Sequence, residues 1–131
     1  MKVALGIGCD RGAMAATIAL AVDQAIAACG AALADVAAVA SIDLKADEVG
    51  LLELARLRGW KIAFYSAAEL AAVDVPNPSE TVRKHTGTPS VSEAAALLAA
   101  GVGKDQLLIE KHRVRGPDCR NATVSIARIA P

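Results

Sequence analysis

Apolar segments of strand length alternate with helical segments along the first half of the chain. In the first helical segment Met14, Ile18, Val22 and Ile26 recur every four residues, and Gly30 follows as a helix stop. This alternation predicts a parallel sheet with helices on its faces. The predicted strands are 2–8, 36–42 and 61–66, and the predicted helices are 12–30, 47–59 and a short one over 67–73.

A proline-containing loop with one helical turn is predicted next. Asn77 has the position of a helix N-cap, because Pro78 fits the first residue of a helix. A longer helix over 91–101 follows, and Ser90 and Glu93 stand before and within it at capping-box spacing. Ser66 and Glu69 show the same spacing at the start of the short third helix.

The end of the chain reads as two strands, 106–114 and 122–129. The short turn between them favours an antiparallel hairpin. We therefore predict a single three-layer α/β domain over residues 1–131, whose mostly parallel sheet is made mixed by this C-terminal hairpin.

Charge and composition exclude several classes of protein. The chain has 14 Lys and Arg against 14 Asp and Glu, and this balance argues against a general nucleic-acid binder. No apolar run approaches the roughly 20 residues of a membrane span, and the N-terminus is too short and glycine-interrupted for a signal peptide. We expect a cytoplasmic protein with neither a nucleic-acid nor a membrane partner.

Three cysteines, Cys9, Cys29 and Cys119, occur without a Cys-x-x-Cys pair. This spacing predicts neither a disulfide framework nor a structural zinc site. His85 and His112 also lack ligand-like spacing. We therefore expect no bound metal, and no cofactor is indicated.

The carboxyl ends of parallel strands are where open α/β sheets bind ligands, and the first such end is followed by "GIGCDRG". Gly8 and Gly12 let the backbone turn and approach a ligand, and Arg11 adds a positive charge. A plain turn and an anion-binding loop both fit this segment. A dinucleotide fingerprint fits poorly, because Arg11 stands where a glycine is required. Cys9 is either a nucleophile at a helix N-terminus or an inert, buried thiol.

The second strand end carries "SIDLKADE", which includes Ser41, Asp43, Lys45 and Glu48. One interpretation is an ordinary helix start with a solvated acidic first turn. In the other, Lys45 meets a carboxylate of the ligand, while Asp43 or Glu48 positions it or handles a proton. The pattern alone leaves both open.

Hydroxyl and amide side chains follow in "VPNPSE" and "GTPSVSEA". Asn77, Ser79, Thr88 and Ser90 are explained as helix caps, and the helix N-termini that they mark could together receive carboxylates or phosphates.

Positive charge is concentrated at 111–120, in Lys111, His112, Arg113, Arg115 and Arg120. These residues form either a solvated strand edge or a basic lip for a polyanionic ligand. Asn121, which follows, suits a turn.

Taken in order, "GIGCDRG", "ASIDLKADEVGLLELA", "VPNPSE", "GTPSVSEAAALLAAG" and "NATVSIARI" resemble one family. It is the cobalamin-biosynthesis family that comprises CobE and the C-terminal domain of CbiG. The resemblance extends from Val3 to Arg128. Because the chain starts at the first strand of this domain, it looks like the stand-alone CobE form. The longer and more basic connection over 112–120 departs from the family, which puts any ligand role of Arg113, Arg115 and Arg120 in doubt.

The resemblance implies an α/β domain that works on corrin-ring intermediates. In CbiG-type proteins the full-length enzyme opens a lactone on cobalt-precorrin-5A and releases acetaldehyde. The implied function is binding of a precorrin polycarboxylate at the strand-end crevice, with or without lactone hydrolysis. A non-catalytic carrier or partner of a precorrin methyltransferase is the alternative, and a phosphate- or nucleotide-dependent enzyme is a weaker one. Other cobalamin-pathway enzymes are the implied protein partners.

Site residues carried over by position fall into two groups. The catalytic candidates are Asp43, Lys45 and Glu48. The ligand-binding candidates are Gly8, Cys9, Arg11, Gly12, Ser41, Asn77, Ser79, Thr88, Ser90 and Asn121.

Overall fold

A computed structural model describes residues 1–87 and 90–130, with 85 and 86 described in their backbone only. The strands are β1 (Val3–Cys9), β2 (Val36–Ile42), β3 (Ile62–Tyr65), β4 (Leu107–Arg115) and β5 (Asn121–Arg128). The α-helices are α1 (Ala15–Ala28), α2 (Val49–Arg58), α3 (Ala67–Ala71), α4 (Glu80–Thr86) and α5 (Val91–Ala100). Short 3₁₀ turns cover Leu33–Asp35, Asp43–Lys45 and Lys104–Gln106.

The five strands form one sheet in the order β3-β2-β1-β5-β4. β1, β2 and β3 pair in parallel, whereas β5 is antiparallel to both β1 and β4. The predicted mixed sheet with a C-terminal antiparallel hairpin is confirmed. β4 therefore runs in the same direction as β1, so the carboxyl ends of β1 to β4 and the start of β5 meet at one edge.

Alternate residues of β1 face opposite layers of the molecule. Val3, Leu5 and Ile7 are fully buried in a core with residues of α1 and α2, such as Ile18 and Leu51. α5 packs on β1, β2 and β5, and its contact residues Ala94 and Ala95 belong to a second core cluster with Ala40 and Ile42 of β2. The predicted flanking helices are thereby confirmed.

The backbones of β1 and α5 come unusually close at Gly6. A Cβ added to Gly6 would lie 1.9 Å from the carbonyl oxygen of Ser92, which no side chain could tolerate. This close approach sets the N-terminal end of α5 directly beside the carboxyl end of β1. Ser90, Val91 and Ser92 are thus delivered to the ligand edge of the sheet.

Several helix ends differ from the predictions. α1 and α2 are shorter than predicted, and residues 43–45 form a 3₁₀ turn ahead of α2. Asn77 is not an N-cap: α4 starts at Glu80, and Ser79 caps it by accepting a hydrogen bond of 3.3 Å from the Val82 N–H. The capping box of Ser66 and Glu69 is confirmed, with bonds of 3.0 and 3.1 Å.

Within the described ranges, no helix has both the length and the apolar character needed to cross a membrane.

Candidate functional site

A crevice of about 670 Å³ opens at the carboxyl ends of the strands, on the face of the sheet that α5 covers. The first and second strand-end loops, the N-terminal ends of α4 and α5, and the β4–β5 hairpin all contribute to it. Its lining residues are Gly8, Cys9, Asp10, Arg11, Ile42, Leu44, Lys45, Thr81, Val82, Ser90, Val91, Ser92, Lys111, Arg113, Asn121 and Thr123.

Lys45 is the most enclosed cation whose ammonium group faces this crevice. Its side chain is only 15% exposed, and the nearest carboxylate oxygen, Glu48 Oε2, is 3.9 Å away. Among residues 1–87 and 90–130, Lys45 Nζ has no acceptor within hydrogen-bond distance. A largely enclosed ammonium with unused donors is an arrangement suited to an anionic ligand.

Arg11 ties the first strand-end loop to the second. Its guanidinium donates to Asp47 Oδ1 and to the Leu44 carbonyl oxygen, both at 2.8 Å, and lies 3.0 Å from Glu48 Oε2. The hydrogen bond with Asp47 raises the pKa of Arg11, and the same contact lowers the pKa of Asp47. Arg11 lines the crevice, but much of its hydrogen-bonding capacity is already used within the protein.

Glu48 supplies the anion that the glycine-rich loop was expected to receive from a ligand. Its side chain is 4% exposed, and Oε1 accepts a 2.8 Å hydrogen bond from the backbone N–H of Gly12. Oε2 is held by the ion pair with Arg11 at 3.0 Å, without the alignment of a hydrogen bond. The Gly12 N–H is therefore partnered by the protein itself, and the ligand role of Gly12 stays a prediction.

Burial governs the chemistry of Cys9. Removal of the thiol from water raises the pKa of Cys9 to about 11, although the nearby charge of Lys45 acts in the opposite direction. The group therefore stays a neutral thiol near pH 7. This supports the inert alternative for Cys9 over the nucleophile.

A buried carboxylate anchors the segment that forms the α4 wall. Glu93, which has no solvent exposure, accepts hydrogen bonds from Asn77 Nδ2 at 2.7 Å and from Ser90 Oγ at 2.9 Å. Asn77 Nδ2 also donates to Glu110 Oε1 at 2.8 Å, and Lys111 Nζ donates to the Asn77 carbonyl oxygen at 2.8 Å. Ser90 is the N-cap residue of α5, as predicted, but its hydroxyl donates to this carboxylate and makes no capping hydrogen bond with the helix backbone.

Asn121 pins the start of β5 to the first loop. Its backbone N–H and its side-chain amide both donate to Asp10 Oδ2, at 2.7 and 3.0 Å. Asp10 is the one carboxylate among the described residues that line the crevice, and these bonds already engage it. Against this single carboxylate the described part of the crevice has four cations, which are Arg11, Lys45, Lys111 and Arg113.

Six of the sequence-predicted residues line this crevice, and six others that the structure describes do not. Ser41 is buried, and its hydroxyl donates a hydrogen bond of 2.6 Å to the carbonyl oxygen of Ile7. It therefore joins β2 to β1. Asp43 is exposed in the 3₁₀ turn. Thr88 falls outside the described residues. The six that line the crevice are Gly8, Cys9, Arg11, Lys45, Ser90 and Asn121, and those that do not are Gly12, Ser41, Asp43, Glu48, Asn77 and Ser79.

Thr81 lines the crevice without any signal in the sequence, whereas Ser92 and Thr123 lie in segments that resemble the family but were not among the ligand-binding candidates. The pairing of Thr123 with Gly8 of β1 places it beside the first strand-end loop. Lys111 and Arg113 were considered as a basic lip, and both lie in the wall.

A second depression of about 420 Å³ lies between the N-terminal ends of α1 and α2. Its lining includes three carboxylates, Asp47, Glu48 and Glu53, against the single cation Arg11. This acidic balance makes it a poor receiver for an anionic ligand, so the strand-end crevice is the better candidate site.

Fold and site together define an α/β protein with a cationic crevice at the carboxyl edge of its sheet. A family model described as cobalamin synthesis G C-terminus matches residues 3–127. The chain belongs to this family, and it is a cobalamin-biosynthesis protein of the CbiG/CobE type.

Two curated relatives share 39% of their aligned residues with the chain. The cobalt-precorrin-5A hydrolase of Priestia megaterium aligns over 127 residues, which are 97% of this chain but 32% of that protein. Protein CobE of Sinorhizobium sp aligns over 107 residues, 80% of this chain and 68% of that protein. The chain thus spans about a third of the hydrolase and two thirds of CobE.

Solved structures have the same fold. The crystal structure of CobE, a protein from the cobalamin (vitamin B12) biosynthetic pathway, has a TM-score of 0.78 and 35% identity, and the match covers 98% of this chain and 91% of that one. The cobalamin biosynthesis protein chiG of Agrobacterium tumefaciens has a TM-score of 0.70 and 36% identity, with 98% and 99% covered.

Proposed function

We propose that the crevice binds a precorrin, a tetrapyrrole intermediate of cobalamin biosynthesis that carries acetate and propionate arms. The observation that carries this proposal is Lys45, whose 15% exposed side chain faces the cavity with unused hydrogen-bond donors. A carboxylate arm of the ligand would accept from this ammonium group. Burial makes such a charge-assisted bond stronger than it would be in open water.

The charge of the crevice suits a ligand with several carboxylates. Lys111 and Arg113 line it from β4, while Lys45 and Arg11 line it from the opposite loops. A hydrogen bond to a charged group contributes about 1.5–3 kcal/mol, so a few such contacts reach micromolar affinity.

The remaining wall supports a large and partly apolar ligand. Ile42, Leu44, Val82 and Val91 contribute apolar surface, and Gly8 leaves the sheet bare of a side chain beneath it. The cavity volume of about 670 Å³ lies within the range of roughly 300–1,000 Å³ that is usual for small-molecule sites. The face of a macrocycle could rest on this surface while its arms reach the cations.

The arrangement favours holding the intermediate over hydrolysing it within this chain alone. Asp10 is engaged by Asn121, and Glu48 by Gly12 and Arg11. In a hydrolytic version Lys45 would stabilise the developing oxyanion and Asp43 or Glu48 would direct water. Asp43 does not line the crevice, and Glu48 would have to give up a present partner. As a carrier, the chain would hold the intermediate until an associated enzyme of the pathway takes it over.

Titration with cobalt-precorrin-5A, followed by its visible spectrum, tests the binding. We expect a dissociation constant in the micromolar range, and about tenfold weaker binding by Lys45→Ala. Lys61→Ala is the matched control, because Lys61 is exposed next to the amino end of β3, at the opposite edge of the sheet. Absence of binding at about 100 μM, or an equal loss in both variants, would contradict the proposal.

Acetaldehyde release separates the two versions of the function. We expect the isolated chain to bind the intermediate without releasing acetaldehyde. Release that is lost in Lys45→Ala and Glu48→Gln would instead establish the hydrolase within this chain.

A further inference from the structure

We propose that Arg113 forms a second carboxylate-binding station, so that one ligand spans the crevice from the end of β2 to the edge strand β4. This inference rests on the proposed function. It adds that the ligand is large and that Arg113 binds a second carboxylate of it.

Register places Arg113 in a row that crosses the sheet at the crevice. Gly8 of β1 pairs with Thr123 of β5, and Thr123 pairs with Arg113 of β4. Side chains that are paired in this way lie on the same face of a sheet. A Cβ added to Gly8 would touch Val91 of α5 at 3.8 Å, so the row lies on the face that α5 covers. All three residues of the row line the crevice.

A one-residue shift in the pairing of β4 gives Arg113 this orientation. Ile109 pairs with Ile126, and His112 pairs with Val124, so two residues of β4 stand opposite Ser125. Without this bulge Arg113 would share the face of Ile109, which packs in the core with α1. The bulge therefore turns a cation toward the crevice that regular alternation would turn away.

Two cations of β4 line the crevice, and they differ in whether the protein already engages them. Lys111 is engaged, because its Nζ donates to the Asn77 carbonyl oxygen and lies 3.9 Å from Glu93 Oε1. Arg113 forms no hydrogen bond or ion pair with any residue that the structure describes. Its planar guanidinium is free to bind a carboxylate through two parallel hydrogen bonds.

The separation of the strands that carry the two stations favours a large ligand. Lys45 follows β2 and Arg113 lies on β4, which are three positions apart in the sheet order. Three strand spacings amount to about 14 Å. A macrocycle with carboxylates on opposite sides suits stations carried by strands this far apart.

The test is the affinity of Arg113→Ala for cobalt-precorrin-5A, beside that of Arg115→Ala. Both residues are exposed arginines on β4, but among the described crevice residues only Arg113 appears. We expect Arg113→Ala to bind about tenfold more weakly, and Arg115→Ala to stay within about twofold of the unmodified protein. Equal affinities of the two variants would overturn the inference. Unchanged thermal midpoints would show that both variants are folded.

The double variant Lys45→Ala/Arg113→Ala tests whether the stations are separate. Distant sites contribute additively, so we expect a loss of about 100-fold. A double variant no weaker than Lys45→Ala alone would overturn the second station while leaving the proposed function intact. If the unmodified protein fails to bind, the proposed function fails and this inference falls with it.

Discussion

The carboxylate of Glu48 accepts a hydrogen bond of 2.8 Å from the backbone N–H of Gly12, 36 positions earlier in the chain. Glu48 precedes α2, while Gly12 precedes α1. One buried side chain thereby fixes the two loops that carry Arg11 and Lys45. The relative placement of these two cations depends on it.

Replacement of Glu48 by alanine should destabilise the protein. The Gly12 N–H would lose its acceptor, and a partly buried donor without a partner costs about 1–3 kcal/mol of the free energy of unfolding. Urea denaturation measures this loss. Glu48→Gln keeps an oxygen for Gly12 and should lose less. Asp47→Ala, which removes an exposed partner of Arg11, should change stability little. Equal stabilities of Glu48→Ala and Asp47→Ala would contradict the role assigned to Glu48.

The two glycines of β1 should respond differently to alanine. Gly6→Ala would force the Cβ against the Ser92 carbonyl oxygen at 1.9 Å and push α5 from the sheet, at a cost of about 1–3 kcal/mol or more. Gly8→Ala would meet Val91 at an ordinary 3.8 Å and should fold normally. Thermal denaturation compares them.

The added methyl of Gly8→Ala would stand in the crevice. We therefore expect weaker binding of cobalt-precorrin-5A at unchanged stability. Full affinity in this variant would mean that the ligand does not rest on β1.

Stability at alkaline pH should depend on Cys9. The pKa of Cys9 rises from 9.0 to about 11 in the folded state, so above pH 9 the unfolded chain loses a proton that the folded chain keeps. The contribution of Cys9 is therefore complete below pH 9 and is lost as the pH rises to about 11. The free energy of unfolding of Cys9→Ala, measured by urea denaturation at several pH values, should fall less steeply with pH over this window. Cys119→Ser, at an exposed thiol, should retain the original slope. Identical slopes for Cys9→Ala and the unmodified protein would refute this assignment.

Two serines with identical spacing to a glutamate show what local sequence can predict. Ser66 and Glu69 form the expected capping box, because the contacts involve only the first turn of α3. Ser90 and Glu93 do not, because Glu93 is buried and also accepts from Asn77, a residue of a distant loop. Capping signals depend on a few neighbouring residues, so they do not predict that distant parts of the chain bury the glutamate.

The mixed sheet was accessible from the alternation of elements and the terminal hairpin, but side-chain direction was not. Ser41 comes at the end of β2 as predicted, yet its hydroxyl bonds to the Ile7 carbonyl oxygen inside the sheet. Arg113 faces the crevice because of a bulge, and a bulge depends on pairing with a strand that follows later in the sequence. The positions of Lys45 and Arg11 followed from the strand ends that precede them.

β5 follows all the other strands in sequence but lies between β1 and β4 in the sheet. During synthesis the ribosome delivers β4 before the strand that holds it in place. A nascent chain halted before Asn121 would keep one edge of β1 unpaired and would leave Arg113 unattached to the rest of the sheet. The crevice that we propose for an acidic ring is thus completed late in translation, and until then the open edge of β1 is a place where two unfinished chains could adhere.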